Sequence, residues 1–136
     1  MKTFSKILTA NDTGQTLSHQ AGLHIPKSNQ ELIEFLPKLD PSQKNPDSWI
    51  LCIDENYVTW KFRFVHYNNK LTQANGTRDE YRLTHTTNYI KSSNAMSGDE
   101  LVLAKSSSAK KYKINIKKRK IKIPEKIKLK GWRRVY

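Results

Sequence analysis

The chain has 136 residues, 36% of them hydrophobic, and a net charge of +13. That length suits one domain with a modest core, and no apolar run approaches the roughly 18 residues of a membrane span. A single cysteine, Cys52, excludes an internal disulfide framework and suits a reducing cytoplasm.

Taken in order, Thr3 to Thr9 reads as a first strand, with Phe4, Ile7 and Leu8 apolar. The opening residues carry no sustained apolar stretch of the kind a signal peptide needs, so a soluble intracellular protein is expected. The stretch Thr9 to Lys27 has no helical or strand period over its first half. Asn11, Asp12, Thr13 and Gly14 are turn formers, and Gln15, Thr16, Ser18, His19 and Gln20 are polar and uncharged. Alternation returns at Leu23 to Ile25, a short strand closed by Pro26. Ser28 followed by Glu31 resembles a capping box. Leu32, Ile33, Phe35 and Leu36 give an apolar helical face up to Pro37, so a helix of about nine residues is expected. Residues 38–47 form a loop broken by Pro41 and Pro46.

Trp49 to Ile53 reads as a buried strand, with Cys52 a small core residue. After a turn at Asp54-Glu55-Asn56, Val58 to Tyr67 alternates, with Val58, Trp60, Phe62 and Phe64 on one face and Thr59, Lys61 and Arg63 on the other. The two strands make a hairpin, and the aromatics read as core. Residues 68–76 are polar, with Asn75-Gly76 a turn signal. Glu80 to Thr84 is a short strand, and residues 84–94 have room for one helical turn. Glu100 to Ala104 and Lys111 to Lys117 are further strands, the second with Tyr112, Ile114 and Ile116 inward. Beyond Lys117 the basic tail reads either as edge strands or as a linker. Six to eight short strands with one or two short helices favour a barrel or sandwich over an α/β fold. The whole chain, 1–136, is read as one domain.

The charge is unevenly placed. Residues 105–136 hold 14 of the 25 basic residues and one of the 12 acidic ones, leaving 11 of each sign in the first 104. All the excess therefore sits in the last quarter, as an electrostatic footprint for a polyanion. Asn and Gln amides and Ser and Thr hydroxyls in the arm at 9–21 can hold phosphates or read base edges. Arg78 and Arg82 beside Asp79 and Glu80 add a mixed-sign reader. Arginine can donate two hydrogen bonds to guanine, and a carboxylate can accept from cytosine N4. An arm that only gripped phosphate has no need of acids. The alternative for both stretches is a surface loop, with salt bridges worth about 0–1 kcal/mol each.

Catalytic signatures are missing. No Asp-x-Lys or Glu-x-Lys tripeptide occurs, nor a His-x-Lys, a P-loop or a nucleophile elbow. His19, His24, His66 and His85 lack metal-ligand spacing, and no metal or other cofactor is implied. His66 reads as an ordinary strand-end residue. The carboxylates at Asp54/Glu55 and Asp99/Glu100 fall in turns and read as solvated charge.

Three stretches together resemble a known family. T-A-N-D-T-G followed by H-Q-A-G-L-H-I-P is similar to the arm of the N-terminal domain of EcoRII-type restriction endonucleases, relatives of the plant B3 DNA-binding domains. There the pattern is roughly S-A-N-D-T-G, then H-Q-x-G-L-x-I-P. T-R-D-E-Y-R-L-T at 77–84 is similar to T-R-N-E-x-R-I-T of the family's second arm. Arg63 precedes F-V-H-Y-N, where the family has an arginine before a comparable run. The matches fall in the same order and span about residues 6–115.

The resemblance implies a mainly β, B3-like pseudobarrel of about seven strands that binds double-stranded DNA in the major groove. It implies that Lys6, Asn11, Asp12, Thr13, His19, Gln20 and His24 serve the first arm and Arg78, Asp79, Glu80 and Arg82 the second, with Arg63 between them. Asp79 replaces an asparagine of the family, His24 a tyrosine, and Gly76 and Tyr81 stand where a member has lysine. The resemblance further implies a recognition domain of a bacterial type II restriction enzyme acting on nucleoid DNA at a CCWGG-like site. It also implies that the domain itself is not an enzyme and that, isolated, it is a monomer with no membrane or small-molecule partner, the nuclease domain belonging to the intact protein. The rival is a non-specific RNA- or nucleic-acid-binding basic protein.

Overall fold

A computed structural model describes residues 1–14, 22–119 and 131–136. Their strands are β1 (Lys2–Ile7), β2 (Leu23–Ile25), β3 (Asp47–Ile53), β4 (Thr59–Tyr67), β5 (Glu80–Thr84), β6 (Glu100–Lys105), β7 (Tyr112–Lys117) and β8 (Trp132–Val135). Three short helices intervene, α1 (Gln30–Phe35), α2 (Asn69–Thr72) and α3 (Thr87–Ser92). All eight strands join one sheet in the order β2-β5-β4-β3-β7-β6-β1-β8. Its two ends meet where the Trp132 indole N–H donates to the His24 carbonyl at 3.1 Å, so the sheet rolls into an open barrel. The pairing is antiparallel except between β3 and β7.

Alternation decides what faces inward. Phe62 and Phe64 of β4, Leu23 and Ile25 of β2, and Leu101 and Leu103 of β6 are buried together with Phe4, Leu83 and Tyr89. Residues between them on each strand point the other way. Leu32 of α1 and Tyr89 and Ile90 of α3 belong to this core as well. Cys52 is buried as expected, and burial pushes its thiol up to about 12.

Several expectations need correction. The N-cap of α1 is Asn29, whose side chain accepts from the Leu32 N–H, not Ser28. Asparagine caps as well as serine, and Glu31 pairs with Arg134 instead of turning back to the cap. The helix has six residues rather than about nine. It stops at Phe35 because the residue before Pro37 is driven to an extended backbone, as Leu36 is. Helix α2 lies in the polar stretch 68–76, where no helix is expected. It buries no residue, so no apolar period announces it. Asn68 anchors it instead, accepting from the Asn45 N–H and donating to the Gln43 carbonyl. Val58 is exposed and lies outside the β4 strand.

Asp54 and Asp99 are buried rather than solvated. Asp54 accepts from the N–H groups of Asn56 and Val58 and from the Trp60 indole. Asp99 accepts from the N–H groups of Met96 and Arg119. Each carboxylate thus closes a turn. Of the basic tail, residues 132–135 form strand β8 on β1, and the alternating run from Ile121 to Leu129 lies outside the described residues.

Candidate nucleic-acid interface

The first arm leaves β1 through a self-capped turn. The Thr9 N–H donates to Asp12 Oδ2 at 3.0 Å, and the Asp12 N–H donates back to Thr9 Oγ1 at 3.2 Å. Thr13 Oγ1 donates to the carbonyls of Thr9 and Ala10, and Gly14 ends the turn with φ +77°. Such reciprocal bonding is what Asp and Thr side chains offer a backbone that has left its strand. Asp12 has a second task. Lys6 shares the inward face of β1 with Phe4, so its ammonium turns into the mouth of the barrel, where it pairs with the Asp12 carboxylate. Both side chains are only 6% exposed. The arm returns at Gly22, whose φ of +75° suits glycine, and a Cβ there would stand 2.2 Å from the Leu83 carbonyl oxygen.

The second arm joins β4 to β5 and is tightly folded. The Arg78 N–H donates to Asn69 Oδ1 at 2.6 Å, and the Lys70 N–H donates to the Arg78 carbonyl at 2.9 Å. Gly76 packs so closely on α2 that a Cβ would meet the Asn69 carbonyl oxygen at 2.0 Å. The Arg78 guanidinium lies 3.9 Å above the Tyr67 ring and donates through Nε and Nη2 to Glu80 Oε1. Its plane is therefore set before any ligand arrives, while 43% of the side chain stays exposed. The other oxygen of Glu80 faces Arg82 Nη1 at 3.6 Å, and Arg82 Nη2 donates to the Gly22 carbonyl at 3.0 Å. One carboxylate thus links two arginines, and the inner one ties the roots of both arms together.

Beside the first arm, and reaching Arg82 of β5, lies a groove of about 500 Å³ lined by Lys6, Thr9, Asn11, Asp12, His24, Pro26, Arg82 and Gly131. His24 projects from β2 opposite Arg82. Partial desolvation and the positive charges of Arg82 and Lys6 lower its pKa, so the imidazole is neutral at pH 7 and can both donate and accept. Two cations, Lys6 and Arg82, line the groove, each facing a carboxylate, Asp12 and Glu80 respectively.

The residues picked from the sequence fall into several groups. Lys6, Asn11, Asp12, His24 and Arg82 meet in the groove, and Thr13 belongs to the turn beside it. Arg78 and Glu80 stand on the second arm next to Arg82. Asp79 turns away from them, toward His66 and Lys27. Arg63 does not line the groove. It lies on the face of β4 that carries Val65, the residue opposite Arg82, about 7 Å further along, and it pairs with Asp47 at 2.6 Å. His19 and Gln20 lie outside the described residues.

Lys27, His66, Asn69 and Trp132 were not picked. No local pattern marks them, because their partners stand far away in sequence, as Asp79 does from Lys27 and His24 from Trp132. Among the described residues no cluster of three or more His, Cys, Asp or Glu side chains could hold a metal, and no helix is long and apolar enough to cross a membrane.

Where β7 ends and β8 begins, the basic last quarter lies at this same end of the barrel. Lys117 of β7 lies opposite Glu100, as does Ile7 of β1, and Trp132 of β8 lies opposite Lys6. Arg133 donates to Ser5 Oγ and pairs with Glu100 at 2.8 Å.

Known proteins carry the same architecture. Two auxin response factors of Arabidopsis thaliana, numbers 21 and 12, are 35% and 33% identical to this chain over 106 residues, 77% of its length. The matched part spans only 15% and 16% of those proteins. Among solved structures, the Arabidopsis FUS3–DNA complex superposes with a TM-score of 0.62 at 20% identity, covering 87% of this chain and 98% of that one. The fold is thus the expected B3-like pseudobarrel, with eight strands and three short helices among the described residues. The family model for the N-terminal domain of restriction endonuclease EcoRII matches residues 1–116. With its two arms and the barrel that bears them, this chain belongs to the EcoRII N-terminal domain family.

Proposed function

We propose that this domain binds double-stranded DNA sequence-specifically, laying its two arms along the major groove. The observation that carries the reading is the Arg78–Glu80–Arg82 chain, which runs from the exposed second arm to Arg82 in the groove. It offers a half-exposed guanidinium whose plane Glu80 fixes, the donor needed to read guanine in the major groove. Asn11 and His24 supply amide and imidazole contacts, with Thr13, His19 and Gln20 on the same arm. Lys6, Arg82 and the Asp12 that orients Lys6 form the charged floor, while Arg63 and the C-terminal lysines hold phosphates. That the FUS3 structure is a DNA complex supports this use of the fold. Family membership supports a place as the target-recognition domain of a type II restriction endonuclease, with cleavage assigned to a separate nuclease domain. The site read is a short G·C-flanked sequence of the CCWGG kind.

Fluorescence anisotropy on a CCWGG duplex and a scrambled duplex, at about 150 mM salt, tests the reading. Preference for the first by about 10³ or more, lost in Arg78→Ala, is the expected result. Equal binding to both duplexes, weakening together as salt rises, would overturn it and make the charge of residues 105–136 the whole source of affinity.

A further inference from the structure

The acidic residue between the two reading positions faces the wrong way to read. Asp79 Oδ1 accepts from His66 Nε2 at 2.8 Å, and Oδ2 accepts from Lys27 Nζ at 2.8 Å. Both carboxylate oxygens are thereby engaged by protein, and the side chain is 19% exposed. The two hydrogen bonds hold its carboxyl below the usual carboxylate range, Lys27 contributing more than His66. The partners come from separate parts of the barrel. Lys27 lies in the turn between β2 and α1. His66 is near the end of β4, its ring stacked on Tyr81 at 4.2 Å, and Tyr81 is stacked in turn on Phe64 of the core. Because a carboxylate can only accept, His66 Nε2 carries the proton in this contact.

We infer that Asp79 is a positioning residue rather than a base-reading one: it clasps the second arm to β4 through His66 and to the β2–α1 turn through Lys27. The inference rests on the proposed DNA-binding use of the arms. Asp79 sits between Arg78 and Glu80, so fixing its side chain on one side of the backbone sends its neighbours to the other. The asparagine present here in the family pattern could keep the bond from the imidazole but brings no charge to hold Lys27. The clasp therefore gives this chain a tie between its second arm and the β2–α1 turn that an asparagine supplies more weakly. Preorganising a reading loop improves binding by lowering the ordering cost at the moment of association.

Two measurements test it, one of them free of DNA. Lys27→Met, Asp79→Ala and the double variant are titrated against the duplex that wild type selects from a random pool, and against that duplex substituted at each base pair in turn. Lys27→Met is expected to weaken binding about threefold and Asp79→Ala about tenfold. The double variant should be no weaker than Asp79→Ala, and the base preference should be unchanged at every position. Amide hydrogen exchange on the free protein should be faster at Arg78 and Glu80 in both single variants.

Loss of preference at one base pair in Asp79→Ala would make Asp79 a reader and overturn the inference. So would losses that multiply in the double variant, because Lys27 would then act without Asp79. Unchanged exchange at Arg78 and Glu80 would overturn it as well. If wild type selects no sequence, the DNA-binding reading itself fails, while the exchange data still decide whether the clasp exists.

Discussion

Replacing Asp12 with alanine tests whether the first arm is built on a buried ion pair. Lys6 and Asp12 are each 6% exposed, so the substitution leaves an ammonium in the barrel mouth with its partner gone. Breaking a buried pair on one side costs about 3–5 kcal/mol. The bond from the Thr9 N–H, 3.0 Å in the native arm, is lost with it and adds roughly 1 kcal/mol. At a urea slope of about 2 kcal/mol/M, a loss of about 4–6 kcal/mol moves the unfolding midpoint down by about 2–3 M. The double variant Lys6→Met/Asp12→Ala removes both charges and should recover much of that loss, since no uncompensated ion stays buried. Urea unfolding followed by tryptophan fluorescence measures all three proteins. A shift under about 0.5 M for Asp12→Ala, or a double variant worse than the single, would refute the reasoning and return the pair to the class of weak solvated bridges.

Gly76→Ala should cost about 1–3 kcal/mol of stability, because the added methyl meets the Asn69 carbonyl at 2.0 Å and the second arm must open. Its DNA affinity should fall further than its stability when both are measured, since the arm carries Arg78. Trp132→Phe keeps most of the buried ring but loses the bond to the His24 carbonyl, and should lower the unfolding free energy by about 0.5–1.5 kcal/mol in urea. The carboxyls of Asp79, Asp54 and Asp99 have folded pKa values below their ordinary ones. For Asp79 the cause is its hydrogen bonds from Lys27 and His66. For the other two, burial pushes upward, but hydrogen bonds (from Trp60, Val58 and Asn56, and from Arg119, Met96 and Lys118) outweigh it. A depressed pKa contributes stability above the unfolded value of about 3.9 and loses it as pH falls through the folded value. Unfolding free energy should therefore decline steadily below about pH 4, and Asp79→Asn should flatten that decline in a urea series run at several pH values.

Much of this barrel can be read along the chain, for one reason. A strand buried on one face writes its own alternation, and β2, β4 and β5 fall where Leu23 to Ile25, Phe62 with Phe64, and Glu80 to Thr84 put them. Arms are legible as interruptions of that period, and their chemistry as the turn formers and mixed charges they hold. Local sequence also identifies Cys52 as core, but Trp49 and Leu51 of the same apolar run, expected to be buried, are exposed, because only alternate residues of β3 face inward. What depends on packing is another matter. Helix α2 has no apolar face to signal it, and β8 is a basic segment that becomes a strand only because β1 offers it an unpaired edge.

The charged residues divide in the same way. Composition and order alone determined that this chain carries a zero-net-charge body, a cationic last quarter and two polar arms in a family pattern. Only the tertiary structure decided which charges belong to the groove and which to the scaffold. Lys6 and Arg82 are sunk into its floor. Asp12, Asp54 and Asp99 close turns, and Asp79 is turned from Arg78 toward Lys27 and His66. A side chain's type states what it can donate or accept. Whether that capacity faces a ligand or a neighbour depends on strand register and on partners far away in sequence, and a one-dimensional pattern holds neither.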